Sequence, residues 1–162
     1  TTPRDLETDL DVWIILMALS ESVSARLRKH GFKCNVVEIA IRDNGLNSIT
    51  RQKRISQPTN ITDDIVKAAF ELFKKHYRWE HPIRSLGVRG SDLVMEDIPV
   101  QLDLFDNQEK RDKLERLDRA VDEIRRRFGY FSIQRAAMYQ DKVLSHLDAG
   151  THTVHPHSYF HG

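Results

Sequence analysis

The sequence predicts an α+β fold in which two helices cover one face of an antiparallel sheet and the opposite face stays open. Apolar residues recur first at helical spacings of three and four, and then alternate with other residues on either side of a turn signal. A second helical pattern and a third strand pattern follow. An extended linker and C-terminal helices are expected after them.

The first helix is expected to begin close to Pro3, since four acids near it suit the positive end of a helix dipole. These acids are Asp5, Glu7, Asp9 and Asp11. A buried stripe at three-to-four spacing follows, formed by Val12, Leu16, Leu19, Val23 and Leu27. The helix is predicted to stop at Gly31, after a basic last turn.

A hairpin is predicted next. Alternation of apolar residues from Asn35 to Arg42 indicates a strand with one buried face. Residues 43–45 (Asp-Asn-Gly) are a strong turn signal, and Ser48 to Ile55 is predicted to be the returning strand. Pro58 lacks the N–H of a strand ladder and is expected to end it.

The second helix is predicted from Ile65 to about Tyr77, after capping residues and acids. Pro82 breaks the chain, and Ile83 to Val94 is predicted to form the third strand. Two helices and three strands in this order form one layer of helices on one sheet, so the second face of the sheet is available to a partner.

Composition divides the chain into four parts. Residues 1–93 form the α+β domain, 94–108 an acidic linker, 109–147 a helical segment and 148–162 a flexible tail. The helical segment is expected to contain a third helix that ends at Gly129, and a further short helix within residues 134–147. The third helix has an apolar stripe of Leu114, Leu117, Val121, Ile124 and Phe128.

The charge is distributed unevenly, although the net charge is only +1. Eight Lys and Arg lie between Arg26 and Ile55 against two acids, and five acids with no base lie between Asp92 and Asp106. This contrast indicates two surfaces with different partners, and makes the basic section a candidate for binding a polyanion. A solvated charged face is the alternative that charge alone leaves open.

Several classes of function are not indicated. No apolar run is long enough to span a membrane and no secretory signal is present, so a cytoplasmic location is expected. The single Cys34 excludes an internal disulfide and is expected to be a structural thiol. We predict no catalytic residue, no metal site and no cofactor in this chain, although histidines of the tail could bind zinc.

Three segments resemble a known family. They are SESVSARLRKHGFKCNVVEIAIRD, ITRQKRIS and PIRSLGVRGSDL. In order and separation they are similar to the little finger domain of Y-family (UmuC/DinB-type) translesion DNA polymerases. The resemblance covers residues 3–93 and extends more loosely through VDEIRRRFGYFSI. It implies a ferredoxin-like β-α-β-β-α-β unit, whose sheet grips phosphates of primed double-stranded DNA while the helices face away.

The resemblance makes cations of the hairpin and the third strand candidate phosphate contacts. They are Arg42, Arg51, Lys53, Arg54, Arg84 and Arg89. Residues two apart in a strand share a side, so the apolar positions define the core side. By this rule Arg54 and Arg89 point to the open face, whereas Arg51, Lys53 and Arg84 share the side of core residues. Solvated or paired surface charges are the alternative for each.

Two departures from the family follow. Its first strand would precede Thr1, and is missing or reduced here. A ferredoxin-like order makes that strand central, so we expect the tail at Thr151 to His155, or a neighbouring chain, to replace it. The catalytic palm, with its metal-binding carboxylates, also lies outside this chain. The fragment is therefore not expected to be an enzyme, whereas its parent is expected to be a DNA polymerase that uses Mg²⁺.

A short motif lies in the linker. QLDLF matches, at every position, the pentapeptide that binds the bacterial sliding clamp, with Gln101, Leu102, Asp103, Leu104 and Phe105. Leu104 and Phe105 can enter an apolar pocket, and Gln101 can satisfy polar groups at its rim. The alternative is that the apolar residues pack the linker against the domain.

The sequence thus predicts the DNA-binding and clamp-tethering C-terminal region of an error-prone translesion polymerase, acting in DNA repair and damage tolerance. Two alternatives remain from other classes of protein. One is a stand-alone ferredoxin-like protein that binds nucleic acid, and the other is a clamp adaptor without polymerase activity. A palm encoded upstream would favour the first prediction, and salt-sensitive DNA affinity would argue against an adaptor.

Overall fold

The structure, a computed structural model, describes residues 1–98 and 108–147. Helices α1 (Asp9–Lys29) and α2 (Thr62–His76) pack on one face of a three-stranded antiparallel sheet within this part of the chain. The strands are β1 (Phe32–Asp43), β2 (Ser48–Thr59) and β3 (Ile83–Met95). The predicted α+β class is confirmed.

Residues 108–147 contain four helical elements, and the first of them is as long as α1. They are α3 (Gln108–Phe128), two 3-10 turns (Tyr130–Ser132 and Ala136–Gln140) and the one-turn helix α4 (Lys142–Ser145). The further helix expected within residues 134–147 is therefore replaced by a 3-10 turn and a single α-turn. Asp141 caps α4, because its carboxylate accepts the N–H groups of Val143 and Leu144 at 2.9 and 3.0 Å.

α1 begins at Asp9, so the predicted start close to Pro3 is wrong. Thr8 caps the helix: its hydroxyl accepts the N–H of Asp11 at 3.1 Å, and the Asp11 carboxylate accepts the N–H of Thr8 at 3.3 Å. This reciprocal box closes the first turn and places the earlier acids outside the helix. The end agrees with the prediction, since Gly31 has φ +72°, a conformation that glycine adopts without steric cost.

The residues before α1 lie along the start of β3. Leu6 pairs with Ile83 in an antiparallel bridge, and the N–H of Thr2 donates to the carbonyl of Arg84 at 3.0 Å. Leu6 and Ile83 are both fully buried. The N-terminal segment therefore covers the beginning of this edge strand.

β2 continues through Pro58 to Thr59, so the prediction that Pro58 ends this strand is wrong. β2 is an edge strand, and a residue without an N–H is tolerated at an edge because one side of the backbone has no ladder partner. The register between β1 and β2 also shifts between Cys34 and Val36, close to this proline.

β1 is the central strand, since Val37 pairs with Lys53 on β2 and with Gly90 on β3. The expected ferredoxin-like order, with a missing central strand, is therefore wrong. Direct pairing of β3 with β1 leaves no gap in the described sheet. The expected replacement strand, Thr151 to His155, lies outside the described residues.

The core lies between the sheet and the two helices. β1 contributes Val37, Ile39 and Ile41, each at most 2% exposed. The helices contribute fully or almost fully buried side chains: Val12, Ile15 and Leu16 from α1, and Ile65, Ala69, Leu72 and Phe73 from α2. Each large apolar side chain buried in this way stabilises the fold by about 1.5–3 kcal/mol. Neither α1 nor α2 packs on the other side of the sheet.

α3 is attached mainly through charges. Asp118 is its only buried residue in the described chain, and the predicted apolar stripe is largely outside the core, with Leu117 53% and Phe128 74% exposed. The segment after α3 does reach the core. It adds Met138, Leu144 and Leu147 to the apolar cluster that contains α1.

Candidate nucleic-acid interface

The side of the sheet opposite α1 and α2 is formed by every second residue of each strand. Directly paired residues of antiparallel strands share a side, so the register determines which residues lie there. On β1, Val37, Ile39 and Ile41 face the helices, and their neighbours face away. The open face therefore consists of four rows: Arg42 with Ser48 and Ser85, Ala40 with Thr50 and Gly87, Glu38 with Gln52 and Arg89, and Val36 with Arg54 and Ser91.

Arg42, Arg54 and Arg89, three of the six predicted contact residues, lie on this open face. Arg54 and Arg89 are the two that strand alternation favours, and the register places both on the side it predicts. All three are exposed to solvent. They belong to three different strands, so the positive charge is spread across the face.

The other three predicted residues lie elsewhere. Arg51 and Lys53 are on the helix side of β2, and the Lys53 ammonium is 2.5 Å from the Glu71 carboxylate on α2. Arg84 lies near a register shift at the start of β3, 3.6 Å from Asp5. These three cations belong to strands of the sheet, but their side chains do not lie on the open face.

The three arginines of the open face differ in their pairing. Arg42 and Arg89 make no ion pair or side-chain hydrogen bond with the residues that the structure describes. The Arg54 guanidinium is 2.6 Å from the Asp92 carboxylate, with 65% and 49% of the two side chains exposed. An ion pair so exposed contributes about 0–1 kcal/mol, so Asp92 does not prevent Arg54 from binding another anion.

A groove of about 570 Å³ is lined by residues of α1 and of all three strands, and open-face residues such as Ala40 and Gly87 are among them. Three arginines line it, Arg26, Arg42 and Arg89, and none of its described lining residues is acidic. Hydroxyl groups also line it, from Thr1, Ser22, Ser48, Thr50 and Ser85. Sequence reasoning did not single out Arg26, although it lies within the basic section that begins there. Guanidinium and hydroxyl groups are the donors that proteins use for phosphate oxygens.

Small residues form the middle of the open face. A Cβ on Gly87 would lie 3.6 Å from the Cβ of its neighbour Ala40, which is an ordinary contact. In this row, β1 contributes only the methyl group of Ala40 and β3 contributes Gly87, which has no side chain. The backbone of a ligand can therefore approach the sheet closely here. The arginines project at either end of this shallow region.

The single cysteine, Cys34, is a buried free thiol. Burial raises the pKa of the Cys34 thiol to about 11, which disfavours the nucleophilic thiolate. Within residues 1–98 and 108–147, no group of three or more His, Cys, Asp or Glu residues could hold a metal ion. None of the helices in these two ranges combines the length and the apolar character of a membrane-spanning segment. The predicted clamp peptide, Gln101 to Phe105, lies outside the described residues.

Comparison with known proteins agrees with the resemblance seen in the sequence. A family model described as the impB/mucB/samB family C-terminal domain matches residues 1–104. DNA polymerase IV of Acetivibrio thermocellus is 44% identical over 147 residues, covering 91% of this chain and 37% of that protein. DNA polymerase IV 2 of Bacillus subtilis is 36% identical over 141 residues, covering 85% of this chain and 33% of that protein.

DNA polymerase IV of Pelotomaculum thermopropionicum is 32% identical over 136 residues, covering 84% of this chain and 33% of that protein. The chain thus spans about a third of the length of these curated relatives. The family match includes α1, the whole sheet and α2. The chain belongs to the impB/mucB/samB family and contains its C-terminal domain, the Y-family polymerase region that its sequence resembles.

Proposed function

We propose that this chain is the DNA-binding and clamp-tethering region of an error-prone translesion DNA polymerase. The observation that carries the proposal is the open face: three exposed arginines on a side of the sheet that neither α1 nor α2 covers. The parent protein would act in the cytoplasm, in DNA repair and the SOS response to damage. Polymerisation, and the Mg²⁺ that it needs, would belong to a palm elsewhere in the parent.

The arrangement of the arginines suits the backbone of duplex DNA. Successive rows of the open face are about 7 Å apart along a strand, because each residue advances about 3.4 Å. Arg42, Arg89 and Arg54 lie in the first, third and fourth rows, on three strands. They can therefore contact separate phosphates. Such contacts position a duplex without reading its sequence, which suits a polymerase that must act anywhere on the chromosome.

Two arginines of one strand provide a matched test. Arg54 and Arg51 are both exposed residues of β2 but point to opposite sides of the sheet. Affinity for a fluorescent primed duplex is measured at several salt concentrations. We expect Arg54→Ala and Arg89→Ala to weaken binding and to lower the salt slope by about one each, because each removes one phosphate contact. Arg51→Ala is expected to have little effect. Equal binding by all variants would contradict the proposal.

The clamp-tethering half of the proposal is supported by the QLDLF motif, Gln101 to Phe105, and by the family membership. An apolar pair in an acidic linker can enter a hydrophobic pocket at a small ordering cost, so modest affinity is expected. The test is a pull-down with bacterial sliding clamp. Leu104→Ala with Phe105→Ala is expected to abolish capture, whereas Ile98→Ala, just outside the motif, should retain it. Capture of both variants alike would exclude this peptide as the tether.

A further inference from the structure

An acid of β3 reaches across the open face to one of its arginines. The Asp92 carboxylate lies 2.6 Å from the Arg54 guanidinium of β2, although β1 separates these two strands. Asp92 has φ +52°, and its carbonyl accepts the side-chain N–H of Asn35 at 3.0 Å. A specific backbone conformation of Asp92 therefore holds its carboxylate at the edge of the open face.

Fold stability does not explain this arrangement. The two side chains are 65% and 49% exposed, and an exposed ion pair adds about 0–1 kcal/mol. The left-handed conformation of a residue other than glycine costs stability instead of adding it. The ion pair has a clearer consequence for binding, because it neutralises one of the three cations of the open face in the free protein.

We propose that Asp92 is an internal counter-ion, which occupies Arg54 in the free protein and is displaced by a DNA phosphate. This inference rests on the proposed function, since it requires the open face to bind DNA. Carboxylate and phosphate offer a guanidinium the same paired acceptor oxygens, so one can replace the other without rearrangement of the strand. Each binding event must then break the ion pair, and the affinity is set below the value that three free arginines would give.

The test is Asp92→Asn in the full 162-residue chain. Asparagine keeps the size of the side chain and tolerates positive φ, so the fold should be retained, as thermal unfolding will show. We expect affinity for a primed duplex to rise about fivefold, the effect of one charge about 4 Å away in water, with a steeper salt slope. Glu80→Gln removes the same charge from the turn after α2 and is expected to leave affinity unchanged.

A double variant separates displacement from simple repulsion. If Asp92 acts by occupying Arg54, the gain from Asp92→Asn must shrink in an Arg54→Ala background, because no ion pair is left to break. A gain of undiminished size would overturn the counter-ion role. Weaker binding by Arg54→Ala together with unchanged binding by Asp92→Asn would overturn only this inference. Unchanged binding by Arg54→Ala and Arg89→Ala would instead overturn the proposed function.

Discussion

The Arg28 guanidinium of α1 and the Asp118 carboxylate of α3 lie 3.2 Å apart, with only 4% and 6% of their side chains exposed. Arg28 also pairs with Asp122 at 2.7 Å, and Asp118 accepts the N–H of Thr62 at 2.8 Å. Ile61, the residue at the N-cap of α2, has no capping side chain. A carboxylate of α3 therefore caps α2, and one buried network joins three helices.

Breaking this network should unfold the protein at much lower denaturant concentration. Arg28→Met removes the more buried of the two guanidinium partners of Asp118 and leaves Arg135 at 3.3 Å. Loss of one partner of an isolated buried pair costs about 3–5 kcal/mol, so we expect a loss toward the lower end of this range. The measurement is the free energy of unfolding in urea. Arg127→Met is the control, since Arg127 pairs with Glu123 at an exposed site (63% and 48%), and its loss should leave the free energy of unfolding almost unchanged. Equal losses in both variants would show that burial adds nothing.

Gly90 is expected to be intolerant of a side chain. A Cβ there would lie 3.2 Å from both the Cβ and the Sγ of Cys34, on the core side of the paired strands β1 and β3. We expect Gly90→Ala to lower the free energy of unfolding by about 1–3 kcal/mol, because an overpacked site must shift backbone or side chains. Gly87→Ala is the control on the open face, where the contact would be an ordinary 3.6 Å. A loss for Gly87→Ala as large as for Gly90→Ala would contradict the packing argument.

The part of the site that the sequence predicted correctly depends on patterns within short stretches of the chain. Alternation along β2 and β3 placed Arg54 and Arg89 on the open face, because a strand's side-chain period is two whatever lies around it. The Gly31 stop followed from backbone geometry in the same way. Both are properties of a few consecutive residues.

Contacts between residues far apart in the chain could not be predicted from such local patterns. The strand order β2-β1-β3 depends on which edge of β1 the third strand joins, and no local pattern records that choice. Arg28 and Asp118 are 90 residues apart, so their pairing has no sequence spacing to detect. Arg26 lines the same groove as Arg42 and Arg89 only because α1 packs on β3 in the folded protein.

The stability of the protein should fall in acid partly through Asp11. Burial raises the pKa of this carboxyl, but hydrogen bonds from Arg4 and from the N–H groups of Glu7 and Thr8 outweigh it, so the pKa lies below its ordinary 3.8. A carboxyl whose pKa is lowered on folding stabilises the fold above its unfolded pKa. It loses that contribution as the pH falls through the folded pKa.

Urea midpoints measured from pH 7 to pH 2.5 test this expectation. The unmodified chain should lose stability progressively below about pH 4, where the unfolded carboxyl begins to bind protons that the folded one does not. Asp11→Asn should be less stable at pH 7 and should decline less steeply in acid. Asp97→Asn, which removes an exposed carboxyl, should follow the unmodified chain. Parallel acid profiles for all three proteins would exclude Asp11 as a contributor.

Cys34 should react slowly with thiol reagents as long as the sheet is intact. It is fully buried beside Gly90, and burial raises its thiol pKa from 9.0 to about 11. At pH 8 this difference alone lowers the thiolate fraction about a hundredfold, and exclusion of the reagent lowers the rate further. Labelling of the native chain is compared with labelling in urea, and with Ser48→Cys in a Cys34→Ala background as an exposed control on the open face. Rapid stoichiometric labelling of native Cys34 would mean that β1 and β3 separate readily. That result would contradict the close packing of Gly90 against Cys34.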